Sequence, residues 1–206
     1  MENERASQAG VFPASVVGVL RERLVLASAS PRRAEILRAV GWEFETAAAN
    51  IDETARAGED ATRLVERLAR EKAEAVARAR LFGLVVGADT VVVVDDSVLG
   101  KPRDDVEARR MLRLLRGGWH EVLTGVALVR AETQRTLVAH KRTRVRFSEM
   151  SDAEIDWYVQ TGEPADKAGA YAVQGRAALF IEEIAGDYWN VVGLPVRLVY
   201  ELSKKM

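Results

Sequence analysis

A short stretch near the start of the chain combines hydroxyl and guanidinium side chains in a pattern that suits an anion. Ser28 and Ser30 are typical turn and N-cap residues, Pro31 fits the first position of a helix, and Arg32 and Arg33 follow it directly. Cations in a first helical turn oppose the helix dipole, so two arginines there make local sense beside an anion. The stretch therefore predicts a phosphate site at a helix N-terminus. A solvated arginine pair on an ordinary capped helix explains the same residues equally well.

The neighbouring residues predict the elements that hold this stretch. Residues 24–26 are all apolar and indicate a short buried strand. Ile36, Leu37 and Val40 then recur at helical spacing, and Gly41 is a typical helix stop. Strand, small-residue turn and helix therefore follow one another, with the two arginines at the start of the helix.

A second candidate is a single carboxylate inside the most apolar run of the chain. Residues 84–95 are rich in valine, which is typical of a strand buried on both faces in an α/β sheet. Asp89 interrupts this run, and an unpaired carboxylate in a core strand is costly. It must therefore face a polar cleft, a cation or a metal ion, which favours a functional role. The structural alternative is a strand that bends at Gly87 and exposes Asp89 at its end.

Three further charged residues gain no function from their pattern alone. Glu53 lies in a predicted loop, where acidic residues are most often solvated. Lys72 lies near the middle of a helix predicted over residues 62–80, and most lysines on such amphipathic helices are also solvated. Lys101 follows a turn that returns the chain beside the strand of Asp89.

The remaining sequence alternates predicted helices and strands. The predicted elements are a helix from Asp104 or Asp105 to about Leu115, a hairpin of strands over 122–129 and 135–147, a helix opened by the capping box Ser151–Glu154, a strand over 178–184, a turn over 186–190 and a final helix entered through Pro195. The expected buried side of the first helix consists of Val106, Met111, Leu112, Leu114 and Leu115. Residues 166–175 are mostly small, which allows either a close ligand or a tight strand crossing.

The composition excludes several classes of function. The 206 residues are 48% hydrophobic and 30% charged, with a formal net charge of −1, so no global field draws the chain to nucleic acid or to a membrane. The row Arg142, Arg144 and Arg146 is then best interpreted as a solvated sheet face. Because the chain has no cysteine and only two histidines, disulfides, thiolate metal sites, cysteine nucleophiles and multi-histidine metal centres are excluded or very unfavourable.

The N-terminus and the hydropathy of the chain predict neither a signal peptide nor a membrane-spanning segment. No apolar run approaches the ~20 residues that a membrane-spanning helix needs, and the acidic N-terminus is unlike a signal peptide. We predict that residues 1–22 form a flexible extension and that residues 23–206 form a single domain working in the cytoplasm.

Five motifs in a fixed order resemble the Maf family of nucleoside triphosphate pyrophosphatases, over about residues 24–204. The motifs are ASASPRR at 27–33, GADT at 87–90, GKP at 100–102, DKAGAY at 166–171 with QG at 174–175, and NVVGLP at 190–195. The resemblance implies an α/β fold of the Maf/ITPase-like kind. Such a fold has an elongated mixed β-sheet flanked by helices, and two lobes with a central cleft.

The resemblance also gives the candidate residues their roles. It implies hydrolysis of a nucleoside triphosphate between its α and β phosphates, on a homodimer, with Mg²⁺ or Mn²⁺ as the divalent metal. Asp89 resembles the family's proposed general base, and Glu53 matches an acidic residue that could share the metal ion with Asp89. Whether Asp89 takes the proton of water or mainly holds the metal stays open. The implied substrate-binding residues are Ser28, Ser30, Arg32, Arg33, Lys72, Thr90, Lys101 and Gln174.

Three of these residues indicate which triphosphate is cleaved. Arg32, Thr90 and Gln174 match the family branch that prefers dTTP and UTP, and modified pyrimidine nucleotides would be related substrates. The Gln174 amide offers both a donor and an acceptor to a uracil or thymine edge. The alternatives are a purine or 7-methyl-GTP pyrophosphatase, and a cell-division regulator that acts by protein binding.

Overall fold

The computed structural model describes residues 23–206, and a seven-stranded mixed sheet runs through them. The strands are β1 (Leu24–Leu26), β2 (Phe44–Thr46), β3 (Leu84–Val94), β4 (Ser97–Leu99), β5 (Trp119–Arg130), β6 (Thr136–Phe147) and β7 (Ile181–Ala185). The helices are α1 (Pro31–Ala39), α2 (Ala61–Ala77), α3 (Asp105–Leu115), α4 (Asp152–Gln160), α5 (Tyr188–Val192) and α6 (Val196–Ser203). This confirms the predicted α/β class, whereas the predicted extension of residues 1–22 lies outside the described residues.

Parallel and antiparallel strand pairs divide the sheet. The strand order is β2-β1-β3-β5-β6-β7, with β4 paired to β3 beside this path. β1 is parallel to β2 and β3, and the other neighbours are antiparallel. Helix α2 covers the middle of one face, while α1 and α6 pack on the opposite face near β1.

One edge of the long central strand β3 is open in its middle. The strand pairs with β1 at residues 84–86 and with β4 at residues 92–94, whereas β5 accompanies it on the other side from 84 to 93. Among the described residues, 87–91 therefore have a strand neighbour only on the β5 side. A cleft opens at this gap, between the β1 end and the β4 end of the sheet.

Alternation along β3 directs its two polar residues to opposite faces. Val91 packs under α2, while Ala88 packs in the cluster formed with α1 and α6. Asp89 consequently faces α2, and Thr90 faces α1. β3 is continuous through Gly87, so the alternative in which the strand bends there is wrong.

Two glycines allow α2 to lie very close to the sheet. A Cβ atom on Gly87 would lie 2.1 Å from the carbonyl oxygen of Ala69, and one on Gly125 would lie 2.2 Å from that of Val65. Neither glycine has a left-handed φ, so lack of space excludes a side chain at both positions. The close approach places the middle of α2 directly over Asp89.

The structure corrects the predicted buried side of α3. Val106 and Leu114 are 75% and 43% exposed, although both were expected in the core. The side chains that α3 buries are Ala108, Met111, Leu112 and Leu115. This set has the spacing of a single helical face, and the other two apolar residues fall outside it.

Three further boundaries differ from the prediction. α2 ends at Ala77, and the next residues form a turn, so the helix stops short of residue 80. Residues 176–179 form a 3₁₀ turn, and the strand expected over 178–184 begins at Ile181. The turn expected over 186–190 contains the start of α5, because the Asp187 carboxylate accepts hydrogen bonds from the first N–H groups of that helix.

The glycine contact under α2 predicts a measurable effect on stability. Gly125→Ala should lower the free energy of unfolding by about 1–3 kcal/mol, because the added methyl group overlaps the α2 backbone. Urea unfolding of the variant and the wild type measures the difference. Gly118→Ala is the matched control, since its nearest neighbouring atom would lie 4.0 Å away. Equal losses in both variants would contradict the packing argument.

Candidate active site

All ten residues predicted for the site line one cleft of about 500 Å³. They are Ser28, Ser30, Arg32, Arg33, Glu53, Lys72, Asp89, Thr90, Lys101 and Gln174. Asp166 and Lys167 line it too, so the cleft contains five cationic and three acidic side chains. The chain as a whole has a net charge of −1, so positive charge is concentrated here, which suits a polyanion.

A buried lysine joins the two predicted acidic residues. The ammonium of Lys72 on α2 lies 2.7 Å from Oδ1 of Asp89 and 2.9 Å from Oε1 of Glu53. The side chains of Lys72 and Asp89 are only 9% and 11% exposed, whereas that of Glu53 is 58% exposed. The helix pattern alone favoured a solvated Lys72, and this is wrong because the close-packed α2 places it over Asp89. The core carboxylate therefore has the cation that its burial requires.

Arg33 is held by three uncharged acceptors. Its Nε donates to the carbonyl of Gly193 at 2.8 Å, Nη1 to the hydroxyl of Ser28 at 3.0 Å and Nη2 to the hydroxyl of Thr90 at 3.1 Å. Burial lowers the pKa of Arg33, and the nearby Asp89 charge opposes that shift. A guanidinium stays charged under these conditions. The part of the chain that the structure describes thus fixes the orientation of Arg33 without an ion pair that would cancel its charge.

The N-terminus of α1 completes this part of the cleft. Ser30 is the N-cap residue and Pro31 follows it as predicted, but the Ser30 side chain makes no capping hydrogen bond within the described residues. The Ser28 hydroxyl instead accepts from the Ser30 backbone N–H at 3.2 Å. The first-turn N–H groups are consequently free of a side-chain cap within the described residues, at the border of the cleft that Arg32 and Arg33 line, and such N–H groups suit an anion.

A second ion pair connects α1 to the segment after α4. Nη1 of Arg32 lies 3.1 Å from Oδ2 of Asp166, and Lys167 contacts the other oxygen of the same carboxylate. Burial tends to raise the pKa of Asp166, but the hydrogen bonds from Lys167 and Arg32 outweigh it and lower the pKa. Our sequence prediction did not include Asp166 or Lys167 among the site residues, although the run of small residues around them is typical of a ligand contact.

A buried polar chain behind Thr90 was also missed. The Thr90 hydroxyl is 2.9 Å from that of Thr124, its register partner on β5, and Thr124 donates to the carbonyl of Asn190 at 3.2 Å. The Asn190 amide in turn donates to the carbonyl of Val122 at 2.9 Å. Thr124 and Asn190 are fully buried, and the Thr124 hydroxyl and the Asn190 NH₂ group are paired inside the protein, whereas Oδ1 of Asn190 has no partner within the described residues.

The segment that carries Glu53 is clamped to α2 by a buried arginine. Arg67 forms a two-point ion pair with Glu59, at 2.6 and 2.7 Å, and its Nη2 also donates to the carbonyl of Thr54 at 3.1 Å. Bidentate pairs of this kind fix orientation as well as distance. The ion pair of Arg67 with Glu59 therefore fixes Thr54, the residue that follows Glu53 in the chain, and Glu53 itself contacts Lys72.

Two predicted residues keep their polar ends available. Lys101 forms no ion pair or hydrogen bond with another residue of 23–206, and its side chain is exposed. Gln174 is also exposed, on a turn that borders the cleft. Both can accordingly bind a ligand without giving up an internal partner.

The donor set suits a hard divalent cation that arrives with a phosphate. No group of three or more histidine, aspartate or glutamate side chains within residues 23–206 is placed to hold a metal ion by itself. Glu53 and Asp89 share one ammonium and offer carboxylate oxygens. Because Mg²⁺ typically binds one or two carboxylates together with substrate phosphates, these two residues fit Mg²⁺ or Mn²⁺.

The arginine row on β6 lies outside the cleft. Arg142 pairs with Glu121, Arg146 pairs with Glu182, and Arg144 stacks over the ring of Trp119. The charges are partly neutralised by neighbours on the sheet surface, as expected for a solvated face. No helix in residues 23–206 is long and apolar enough to span a membrane.

Comparisons with known proteins point to one family. A family model described as Maf-like protein matches residues 23–206. A protein of Symbiobacterium thermophilum named dTTP/UTP pyrophosphatase is 54% identical over 181 residues, which covers 88% of this chain and 92% of that protein. Proteins of the same name from Hahella chejuensis and Desulforamulus reducens are 54% and 50% identical, over 85% and 84% of this chain and 88% and 91% of their own lengths.

A solved structure supports the fold. The Staphylococcus aureus Ham1 protein superposes with a TM-score of 0.52 at 13% sequence identity, covering 89% of this chain and 99% of that one. At this level of identity the likeness shows the architecture alone, and it agrees with the mixed sheet described above.

The clamp predicts a specific dependence of stability on pH. The hydrogen bonds from Arg67 lower the pKa of Glu59 from 4.5 to about 2, so this carboxylate stabilises the folded state above pH 4.5. The stabilisation should be lost progressively as the pH falls from 4.5 to about 2. Glu59→Gln should therefore unfold in less urea than the wild type at neutral pH, and the difference should shrink across that acid range.

A second glutamate provides the matched control for this measurement. Glu43 is exposed and makes no ion pair or hydrogen bond with another residue of 23–206. Glu43→Gln should leave the urea midpoint nearly unchanged at neutral pH. A difference between Glu59→Gln and the wild type that stays constant from pH 7 to pH 2 would contradict the proposed role of the ion pair.

Proposed function

The chain belongs to the Maf family, and from this membership we propose that it hydrolyses dTTP and UTP to the nucleoside monophosphate and pyrophosphate. The observation that carries the proposal is that all ten residues implied by the family resemblance line a single cationic cleft. Relatives at about 50% identity over most of the chain, named dTTP/UTP pyrophosphatases, support the same reaction and substrates.

The cleft supplies the charge that a triphosphate requires. We propose that Arg32, Arg33, Lys101 and Lys167 bind the phosphate oxygens together with the first-turn N–H groups of α1. These groups neutralise the negative charge that develops on the oxygen between the α-phosphorus and the β-phosphorus as that oxygen leaves with the pyrophosphate. Because Arg33 is already oriented by neutral partners, it can meet the phosphate without reorganisation.

Asp89 is the proposed general base. Water attacks the α-phosphorus, its proton passes to the Asp89 carboxylate, and pyrophosphate leaves as the bond to the β-phosphate breaks. Among the described residues, Lys72 alone donates a hydrogen bond to Asp89, and it does so at Oδ1, so the second oxygen has no competing donor. Lys72 thereby holds the carboxylate in one orientation, with the second oxygen available to the attacking water.

Glu53 and Asp89 would also hold the divalent metal. Bound there, Mg²⁺ or Mn²⁺ supplies further positive charge to the phosphates. The Arg67–Glu59 clamp holds the Glu53 segment in place for this role.

The base end of the cleft is assigned to Gln174. Its amide can donate to and accept from a uracil or thymine edge. The Thr90 hydroxyl, in contrast, is already engaged with Arg33 and Thr124, so we propose that Thr90 orients the arginine and does not contact the base.

The family resemblance further supports a homodimer working in the cytoplasm. Analytical ultracentrifugation of the full chain tests the dimer.

Pyrophosphate release from a panel of nucleoside triphosphates tests the proposed function. With Mg²⁺ or Mn²⁺ present, dTTP and UTP should be cleaved faster than CTP, GTP, ITP and 7-methyl-GTP. Asp89→Asn should lower kcat by about 10²–10⁴-fold, because the general base is removed. Thermal unfolding checks that the variant is folded.

The matched control removes a carboxylate outside the cleft. Asp156 is 48% exposed and pairs with Arg109 on α3, and Asp156→Asn should retain wild-type turnover. Preferential cleavage of ITP or 7-methyl-GTP would replace the pyrimidine assignment by a purine one. Absence of cleavage of every triphosphate would sink the enzymatic proposal and leave the protein-binding alternative.

A further inference from the structure

The proposed base-reading residue lies on a turn that is tied down at both ends. The turn is closed by a hydrogen bond from the N–H of Gly175 to the carbonyl of Ala172, at 3.0 Å. Gln174 lies between them, exposed and bordering the cleft. Its position therefore depends on what fixes residues 172 and 175–177.

One phenol and one carboxylate bind both ends of this turn. The hydroxyl of Tyr158, on α4, accepts from the N–H of Ala172 at 3.2 Å and donates to Oε1 of Glu163 at 2.7 Å. Oε2 of Glu163 accepts from the N–H of Arg176 at 3.0 Å. The Tyr158–Glu163 pair thus bridges from the residue before the turn to the residue after it.

The pair is itself rigidly placed at the end of α4. Tyr158 is fully buried, and the side chain of Glu163 is 16% exposed. The Thr161 hydroxyl donates to the carbonyl of Tyr158 at 2.6 Å and accepts from the N–H of Glu163 at 3.2 Å. A Cβ atom on Gly175 would lie 2.3 Å from Oε1 of Glu163, so the carboxylate lies directly against the turn.

We propose that the Tyr158–Glu163 pair is a positioning unit that sets the selectivity for the pyrimidine base by fixing Gln174. This rests on the proposed function, in which Gln174 reads the base. Neither residue lines the cleft, so neither contacts the substrate. Both act through the backbone of the turn, and Tyr158 does so through a single hydroxyl group.

The cations for the phosphates have other anchors. Arg33 is held by Ser28, Thr90 and Gly193. Arg32 and Lys167 pair with Asp166, which is not one of the two hydrogen-bond partners of the Tyr158 hydroxyl. Loss of the Tyr158 hydroxyl should consequently leave phosphate binding intact. Glu163 lies in the same 3₁₀ turn as Asp166, which lines the cleft, so a substitution of Glu163 would disturb both the phosphate-binding and the base-binding parts of the site. Tyr158 lies outside that turn, so its substitution tests the base-binding part by itself.

The test compares Tyr158→Phe and Gln174→Ala with the wild type. Tyr158→Phe keeps the buried ring but leaves the N–H of Ala172 without its acceptor. We expect the ratio of kcat/KM for UTP to that for GTP to fall about five- to tenfold, as for a lost hydrogen bond of ordinary strength. Gln174→Ala should lower the same ratio at least as far. The inhibition constant of inorganic triphosphate, which has no base, should stay within about twofold of the wild type in both variants.

A buried threonine elsewhere provides the control for general destabilisation. The Thr143 hydroxyl, 1% exposed as a residue, exchanges two hydrogen bonds with the backbone of Asp187 and does not line the cleft. Thr143→Val removes a hydroxyl of similar connectivity and should leave the UTP to GTP ratio unchanged. Thermal unfolding shows that the variants are compared as folded proteins.

The possible results separate this inference from the proposed function. A wild-type ratio in Tyr158→Phe, with a lowered ratio in Gln174→Ala, would overturn the positioning role and leave the function standing. An equal fall in Thr143→Val, or a weakened inhibition by inorganic triphosphate in step with the fall, would also overturn it. A wild type without preference for UTP would remove the proposed function and the inference together.

Discussion

The buried ion pair between Lys72 and Asp89 is the contact on which the rest of the site depends. Removing one partner of such a pair typically costs about 3–5 kcal/mol, because the other charge is left without compensation away from water. The pair can form only if α2 approaches β3 closely, and this approach is possible because Gly87 and Gly125 have no side chains beneath the helix. The role proposed for the Asp89 carboxylate therefore depends directly on the close packing of α2 against the sheet.

At the open edge of β3, the two faces of the strand carry different parts of the site. Within residues 23–206, the side of β3 away from β5 has no strand neighbour between the β1 and β4 pairings. The alternation of side chains sends the carboxylate to the α2 face and Thr90 to the α1 face. The acid-base group and the arginine group are thus supported by different elements. On the second face, the partners of Arg33 among residues 23–206 are all uncharged, so its full charge remains for a phosphate.

Features with a local cause could be predicted from the sequence. The Pro31 helix start, the Ser151 capping box and the valine-rich strand follow from short-range rules, and the carboxylate at Asp89 was conspicuous within an apolar run. Lys72 was not conspicuous, because its partner lies in another element. The family resemblance as a whole placed Lys72 in the site where the helix pattern could not. The same limit explains the exposed Val106, since an apolar residue does not reveal which helical face meets the core.

Hydrogen bonds between segments that lie far apart in the sequence could not be predicted from local sequence patterns. They also determine when the site can form during synthesis of the chain. The Tyr158–Glu163 pair binds the backbone of Ala172 and Arg176, and Thr124 binds that of Asn190, although no pattern in the sequence relates these segments to one another. Arg33 and its acceptor, the carbonyl of Gly193, are 160 residues apart. Because synthesis proceeds from the N-terminus, a growing chain contains the arginine long before its acceptor. The cleft is therefore completed only after Gly193 has been synthesised, so shorter nascent chains lack the oriented arginine.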